Sequence, residues 1–151
     1  MQYEIVTLPR KTLAGFQART SNNSPDMQSV IGKLWQTLFA GNTFQSIAGK
    51  CNDRSIGLYS GYSADGMEYD VTVGCEVEDA SALPQGMVAA VIPAGRYAKC
   101  TALGDDVGTV AKLWGEIWNM PLDRAYTGDF EEYFPAPEGE KSEVHIYIAL
   151  R

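Results

Sequence analysis

The sequence predicts an α+β domain built from two β-β-α-β-β halves, and three observations predict it. The chain repeats itself. Ile31-Gly32-Lys33-Leu34-Trp35 is answered by Val110-Ala111-Lys112-Leu113-Trp114, Leu38-Phe39 by Ile117-Trp118, and Leu8-Pro9 by Ile92-Pro93. Ile56-Gly57-Leu58-Tyr59 likewise matches Phe130-Glu131-Glu132-Tyr133, and residues 68–73 match 143–148. Similarity in order and spacing means one supersecondary unit used twice. The hydrophobic period also changes between two and 3.6 residues in the same order in both copies. Finally, 151 residues suit one domain with a sizeable core, so the halves share it. They cover about 1–77 and 87–151, joined by a linker at 78–86. Sequence-adjacent strands are expected to pair antiparallel, each helix to cover a sheet face, and a cleft to open where the halves meet.

Each element has its own signal. Residues 3–8 and 12–20 read as strands around Pro9-Arg10-Lys11. Ser24-Pro25-Asp26 supplies a helix start, with an N-cap hydroxyl, a proline in the first turn and an acid near the positive end of the dipole. Met27, Val30, Ile31, Leu34, Trp35, Leu38 and Phe39 then form one apolar stripe, which Gly41 stops. Residues 40–54 are polar and glycine-rich and give no assignment. Residues 55–60 read as a strand, and Ser63-Ala64-Asp65-Gly66 as a turn. From Glu68 to Val77, Tyr69, Val71, Val73, Cys75 and Val77 alternate with polar residues, which predicts a strand with one buried face. After the linker come strands at 87–92 and about 96–102 on either side of Pro93-Ala94-Gly95. Gly104-Asp105-Asp106 opens a second helix with the stripe Val107, Val110, Ala111, Trp114, Ile117 and Trp118, and Pro121 ends it. Strands at 129–134 and 143–150 close the chain.

Composition narrows the partners. Twelve Lys and Arg against nineteen Asp and Glu give a net charge of −7. With no basic stripe, nucleic acid is disfavoured, and an acidic field suits cationic ligands. No apolar run approaches a membrane span and the N-terminus carries no signal-peptide pattern. Cys51, Cys75 and Cys100 are odd in number and widely spaced, so they read as reduced thiols in a cytoplasmic protein. No His, Cys and carboxylate cluster has metal-ligand spacing, and no cofactor motif is present. Acids within Gly104-Asp105-Asp106-Val107-Gly108 would repel a phosphate. His145, the only histidine, is out of phase with its apolar neighbours and reads as surface or interface.

Asp129-Phe130-Glu131-Glu132-Tyr133-Phe134 concentrates the chemistry. On a strand, Glu131 and Tyr133 share one face, while Phe130, Glu132 and Phe134 share the other. One face is expected to be wet and one packed, which draws one carboxylate into an aromatic setting, at a cost unless it has a partner. Both halves keep the tyrosine, Tyr59 and Tyr133, but Gly57 in the first becomes Glu131 in the second. A fold that works with glycine in one copy does not need the acid in the other, so the asymmetry selects Glu131. The alternatives are a solvated surface glutamate, or Glu132 if the phase is shifted.

The residues Ile92-Pro93-Ala94-Gly95-Arg96-Tyr97, Gly104, the Trp114 to Trp118 helix, Phe130-Glu131-Glu132-Tyr133 and the closing strand with Glu143 resemble the gyrase-inhibitor-like small-molecule-binding domains. These share their fold with the effector-binding domains of AraC-type and MerR-type multidrug regulators. The resemblance implies two pseudo-symmetric halves around a cleft. It also implies binding of bulky aromatic cations by a buried glutamate, here Glu131, ringed by aromatic residues, with Tyr133 as its motif partner. No helix-turn-helix segment precedes the domain, so the chain reads as a free-standing module.

Trp35, Trp114 and Trp118 lie on helical stripes, where core packing is the plain reading, and Trp118 at a helix end is best placed to wall a pocket. Tyr59, Tyr97, Tyr126 and Tyr133 are further cleft aromatics, whose ring faces attract a cation by about 0.5–2 kcal/mol. The reading is a binding module for hydrophobic aromatic cations. Two others remain open: a hydrolase of strained electrophilic toxins using the same glutamate as general acid–base, and a gyrase-inhibitor-like module that docks on a protein. A homodimer is compatible with all three.

Overall fold

The structure is a computed structural model that describes residues 3–103, 107–136 and 142–151, with the backbone alone at Val107. The Gly104-Asp105-Asp106 helix start, the Val107 side chain and Pro137-Glu138-Gly139 of the proline-rich loop lie outside the described residues. The elements run β1 (Glu4–Leu8), β2 (Lys11–Ser21), α1 (Met27–Phe39), β3 (Ser55–Ser60), β4 (Glu68–Val77), β5 (Val88–Ile92), β6 (Gly95–Leu103), α2 (Val107–Trp118), β7 (Asp129–Phe134) and β8 (Glu143–Ala149). The order is β-β-α-β-β twice. All eight strands form one antiparallel sheet ordered β1-β6-β8-β7-β3-β4-β2-β5.

That order carries a pseudo-twofold axis between β3 and β7, and it corrects one expectation. β1 pairs with β6 and β5 with β2, so each half sends its first strand to the other. Leu8 lies opposite Gly95 and Lys11 opposite Ile92, which brings the Pro9 and Pro93 connections together where the chain crosses over. Proline fixes φ and gives no N–H to close a two-residue hairpin, so the chain runs on instead of folding back.

The sheet curls. Val6 and Leu8 on one edge and Ala90 and Ile92 near the other pack on the same cluster, with Leu13, Ile56, Leu58, Tyr97, Phe130 and Tyr147. The helices cover the opposite face. α1 packs Leu38 over Ala14, Cys75 and Val77, extended by Phe44 and Ile47 from the unassigned 40–54 stretch. α2 packs Leu113 and Ile117 over Ala98, Cys100, Val144, Ile146 and Ile148. Gly15 and Gly74 lie opposite each other, and a Cβ on either would collide with backbone of the facing strand. They let β2 and β4 approach.

Because both faces are covered, alternation does not report exposure at the centre. Thr72 of β4 is fully buried and accepts a hydrogen bond from Gln17 Nε2 at 2.9 Å. His145, expected at the surface or an interface, is buried against Phe134, with its Nε2 3.0 Å from Glu143 Oε2. At the start of α1, Asp26 occupies the N-cap position without a side-chain cap bond, and Ser24 Oγ donates to the Asp26 carboxylate instead of capping. No helix of the described residues is long and apolar enough to cross a membrane.

Candidate ligand-binding site

β7 lies beside the pseudo-axis. Its pleat points Asp129, Glu131 and Tyr133 toward the helices and Phe130, Glu132 and Phe134 into the curl. Neither face is wet: Glu131 and Glu132 are each 3% exposed. Glu132 pairs with Arg54 at 3.4 Å. Glu131 has no ion-pair partner among the described residues. Neutral donors hold it: Trp114 Nε1 donates to Oε2 at 2.6 Å, and the hydroxyls of Tyr133 and Tyr59 donate to Oε1 at 3.2 and 3.3 Å. Burial raises its pKa above the ordinary carboxylate value, and the three hydrogen bonds pull it part of the way back. The Tyr59 hydroxyl is pushed well up by its own burial and by the adjacent Glu131 charge.

Glu131 faces Gly57 across the β3–β7 pairing. A Cβ on Gly57 would stand 3.1 Å from Trp35 Cζ2 and 3.2 Å from Glu131 Oε1. The glycine therefore makes room for the carboxylate and for the indole of α1 together.

Beside this group a cavity of about 700 Å³ opens between the start of α1 and the side of α2 that carries Ala111, Trp114 and Trp118. Tyr59 and Trp114, which bind Glu131, form part of its wall, and Trp118, Tyr126, Tyr62 and Ile31 line it further. Its size lies in the range of small-molecule sites. Trp118 is 61% exposed and Tyr126 42%, large apolar area to leave in water. The family model for integron-associated effector-binding proteins matches residues 4–150. The chain belongs to that family. Among solved structures, it is 29% identical to an integron cassette protein from the mobile metagenome of Vibrio cholerae, with a TM-score of 0.78 over 99% of this chain and 95% of that one. It has the same fold as SAV2435, solved with tetraphenylphosphonium bound, at 16% identity and a TM-score of 0.77, covering 98% of this chain and 94% of that one. A putative transcription regulation protein from Staphylococcus aureus MU50 gives 16% and 0.74 over 99% of both chains. No curated protein matches.

This family member brings Tyr59, Trp114, Trp118 and Tyr126 to one cavity and holds Glu131 behind its wall. Tyr133 reaches Glu131 but lines a separate hollow of about 180 Å³ with Phe39 and Phe134. Trp35 packs edge-on against Tyr133 and beneath Gly57, without lining the larger cavity. Tyr97 does not share the site. It is 1% exposed within the curl, its hydroxyl donating to the Pro93 carbonyl at 2.6 Å, because β6 turns it to the face away from the helices.

One cluster escaped the sequence reading. Asp129 is fully buried two residues before Glu131 and on the same face. Its Oδ2 accepts from Tyr62 Oη and Arg124 Nη2, each at 2.7 Å, and its Oδ1 from the Ala149 backbone N–H at 2.9 Å. The shared parity with Glu131 was the signal that could have found it. Tyr62 and Arg124 sit in irregular segments and carry no such signal. Burial and the Asp129 charge push the Tyr62 hydroxyl far up; burial lowers the Arg124 guanidinium, but the Asp129 charge and hydrogen bond, with Tyr62 and Tyr126, together hold it above its ordinary value.

Proposed function

We propose that the chain binds hydrophobic aromatic cations in the cavity between α1 and α2, with Glu131 as the counter-charge behind its wall. The observation that carries this reading is a buried carboxylate without an ion-pair partner among the described residues, whose donors Tyr59 and Trp114 are themselves cavity wall. A cation need not touch it: at an effective dielectric constant of about 20, a charge about 8 Å away gains about 2 kcal/mol. The rings add a cation–π attraction of about 0.5–2 kcal/mol. Asp65 on the rim adds negative charge, and Arg124, the cation of the lining, is offset by Asp129. SAV2435, which shares the fold, was solved with the aromatic cation tetraphenylphosphonium.

Use of Glu131 to activate water fits less well, because three donors occupy the carboxylate and Tyr59 and Trp114 stand at the cavity side of it. Titration with tetraphenylphosphonium, followed through the fluorescence of Trp114 and Trp118, tests the proposal. Saturable binding much tighter than that of neutral triphenylmethane is expected, and equal binding of the two would overturn it.

A further inference from the structure

The cavity lining holds a charged group that aromatic-cation binding does not use. Arg124 lines the wall beside Tyr62, Asp65 and Tyr126. Its guanidinium lies over the Tyr126 ring at 4.4 Å, and Tyr126 is held at a φ of 56°, an unfavourable backbone for a non-glycine residue. A guanidinium has five N–H donors in a planar fork. One nitrogen, Nη2, donates to Asp129; Nε is buried, out of a ligand's reach, and Nη1 is not buried and has no acceptor among the described residues. Asp129 already accepts three hydrogen bonds: Oδ2 takes Tyr62 and Arg124, and Oδ1 takes the Ala149 N–H. Arg124 is thus pinned by an ion pair while Nη1, on a side chain of the cavity lining, has no acceptor among the described residues, and an unmet donor favours a ligand that fills it.

We infer that Arg124 is a specificity-determining residue, and that the ligand this cavity is built for is an aromatic cation carrying a neutral hydrogen-bond acceptor such as an ester or amide carbonyl. The inference rests on the cation-binding reading above. The acceptor is neutral because Asp129 already offsets the Arg124 charge and Asp65 lies nearby, so a free carboxylate would meet two acids for one shared cation. Spacing gives a further constraint. Asp129 and Glu131 are two residues apart on one strand face, so the groups they hold are roughly 7 Å apart along β7. A cationic centre near Tyr59 and Trp114 and a carbonyl near Arg124 would be separated by a chain of about four carbons at that spacing.

Three probes test this on the intact protein: a triphenylphosphonium bearing a butyl chain that ends in a methyl ester, its hydrocarbon counterpart of equal length, and its free acid. Wild type is expected to bind the ester about tenfold more tightly than the hydrocarbon, the scale of one hydrogen bond to a charged group. The acid should bind no better than the hydrocarbon. In Arg124→Gln the ester-to-hydrocarbon ratio should fall to about one. In Glu131→Gln both affinities should drop while the ratio stays. Arg124→Lys keeps a cation for Asp129 should the glutamine variant fail to fold, and it too should lose most of the ratio. Equal binding of ester and hydrocarbon by wild type, tightest binding of the acid, or a ratio that survives at Arg124→Lys overturns the inference and leaves the cation reading standing. If none of the three phosphoniums binds, both fall.

Discussion

The pseudo-twofold axis sets two aromatic clusters side by side. On one side Trp114 of the second half meets Tyr59 of the first edge-on, with centroids 5.6 Å apart at 79°. On the other, Trp35 of the first half meets Tyr133 of the second at 5.2 Å and 80°. Trp118 and Phe39 continue the two clusters from equivalent helix positions. The clusters share one carboxylate, since both tyrosines donate to Glu131 Oε1. They differ in what was done with the space. Trp35 presses on Gly57 and stacks on Phe39, which Phe44 meets at 5.4 Å, leaving a hollow of about 180 Å³ beside Phe39 and Tyr133. Trp114 turns its N–H onto Glu131 and leaves its ring in the cavity wall, with Trp118 open to solvent. The tryptophan of the first copy packs at the axis, while that of the second borders the larger cavity, which both halves line.

The largest predicted effect tests that division. Trp35→Ala should cost about 3 kcal/mol in urea melts, toward the lower end for deleting a packed aromatic ring. Trp114→Ala should cost distinctly less in stability and more in affinity for tetraphenylphosphonium, because its ring borders a cavity already present. Equal stability losses would mean that the two tryptophans are equivalent after all.

Next in size is the glycine at the axis. Gly57→Ala would set a methyl group 3.1 Å from the Trp35 ring and 3.2 Å from the carboxylate. Both must give way, at about 1–3 kcal/mol for an overpacked core. Weaker cation binding should accompany the loss, because Glu131 is displaced. A stable variant with full affinity would show that Gly57 is not what admits the acid.

Much of this was legible because the repeat printed the architecture twice. Order, helix stripes and the Gly57–Glu131 exchange could all be read without knowing which strands pair. Strand exchange at β1 and β5 could not, since Leu8-Pro9 and Ile92-Pro93 announce a break in direction and not a destination. Faces failed where both are buried: His145 and Glu132 sit on strands whose alternation no longer separates core from solvent. Tyr97 failed for the same reason, being an aromatic residue on the wrong side of a two-sided sheet. Sequence reading took Gly57 as a pointer to Glu131, since the fold works without an acid in the first copy, and its position opposite Glu131 adds that a side chain there would crowd the carboxylate.

Glu131→Gln comes next. Losing a desolvated counter-charge should weaken binding of aromatic cations by about 1–3 kcal/mol, with little loss of fold, as glutamine can still accept from Trp114. Calorimetric titration of the folded variant would measure it, and undiminished affinity removes Glu131 from the site.

The smallest effect is the most specific, for it opposes two slopes within one protein. Glu131 has its folded pKa raised above 4.5, with burial the first cause. Between the unfolded value and the raised one the native state therefore holds the extra proton. This group's contribution to apo stability is complete below the unfolded pKa and is lost as pH rises through the folded one. Cation binding runs the other way, since the charged carboxylate attracts the ligand and binding expels the proton. Affinity for a permanent cation should rise over the same interval and then level off. The measurement is the difference between wild type and Glu131→Gln, which isolates this one group, by chemical melts and by calorimetry in two buffers of unlike ionisation enthalpy. Wild type should show falling apo stability, rising affinity and proton release, and the glutamine variant none of the three. Parallel pH profiles for the two proteins would place the counter-charge elsewhere, with Asp65 on the cavity rim as the first residue to test.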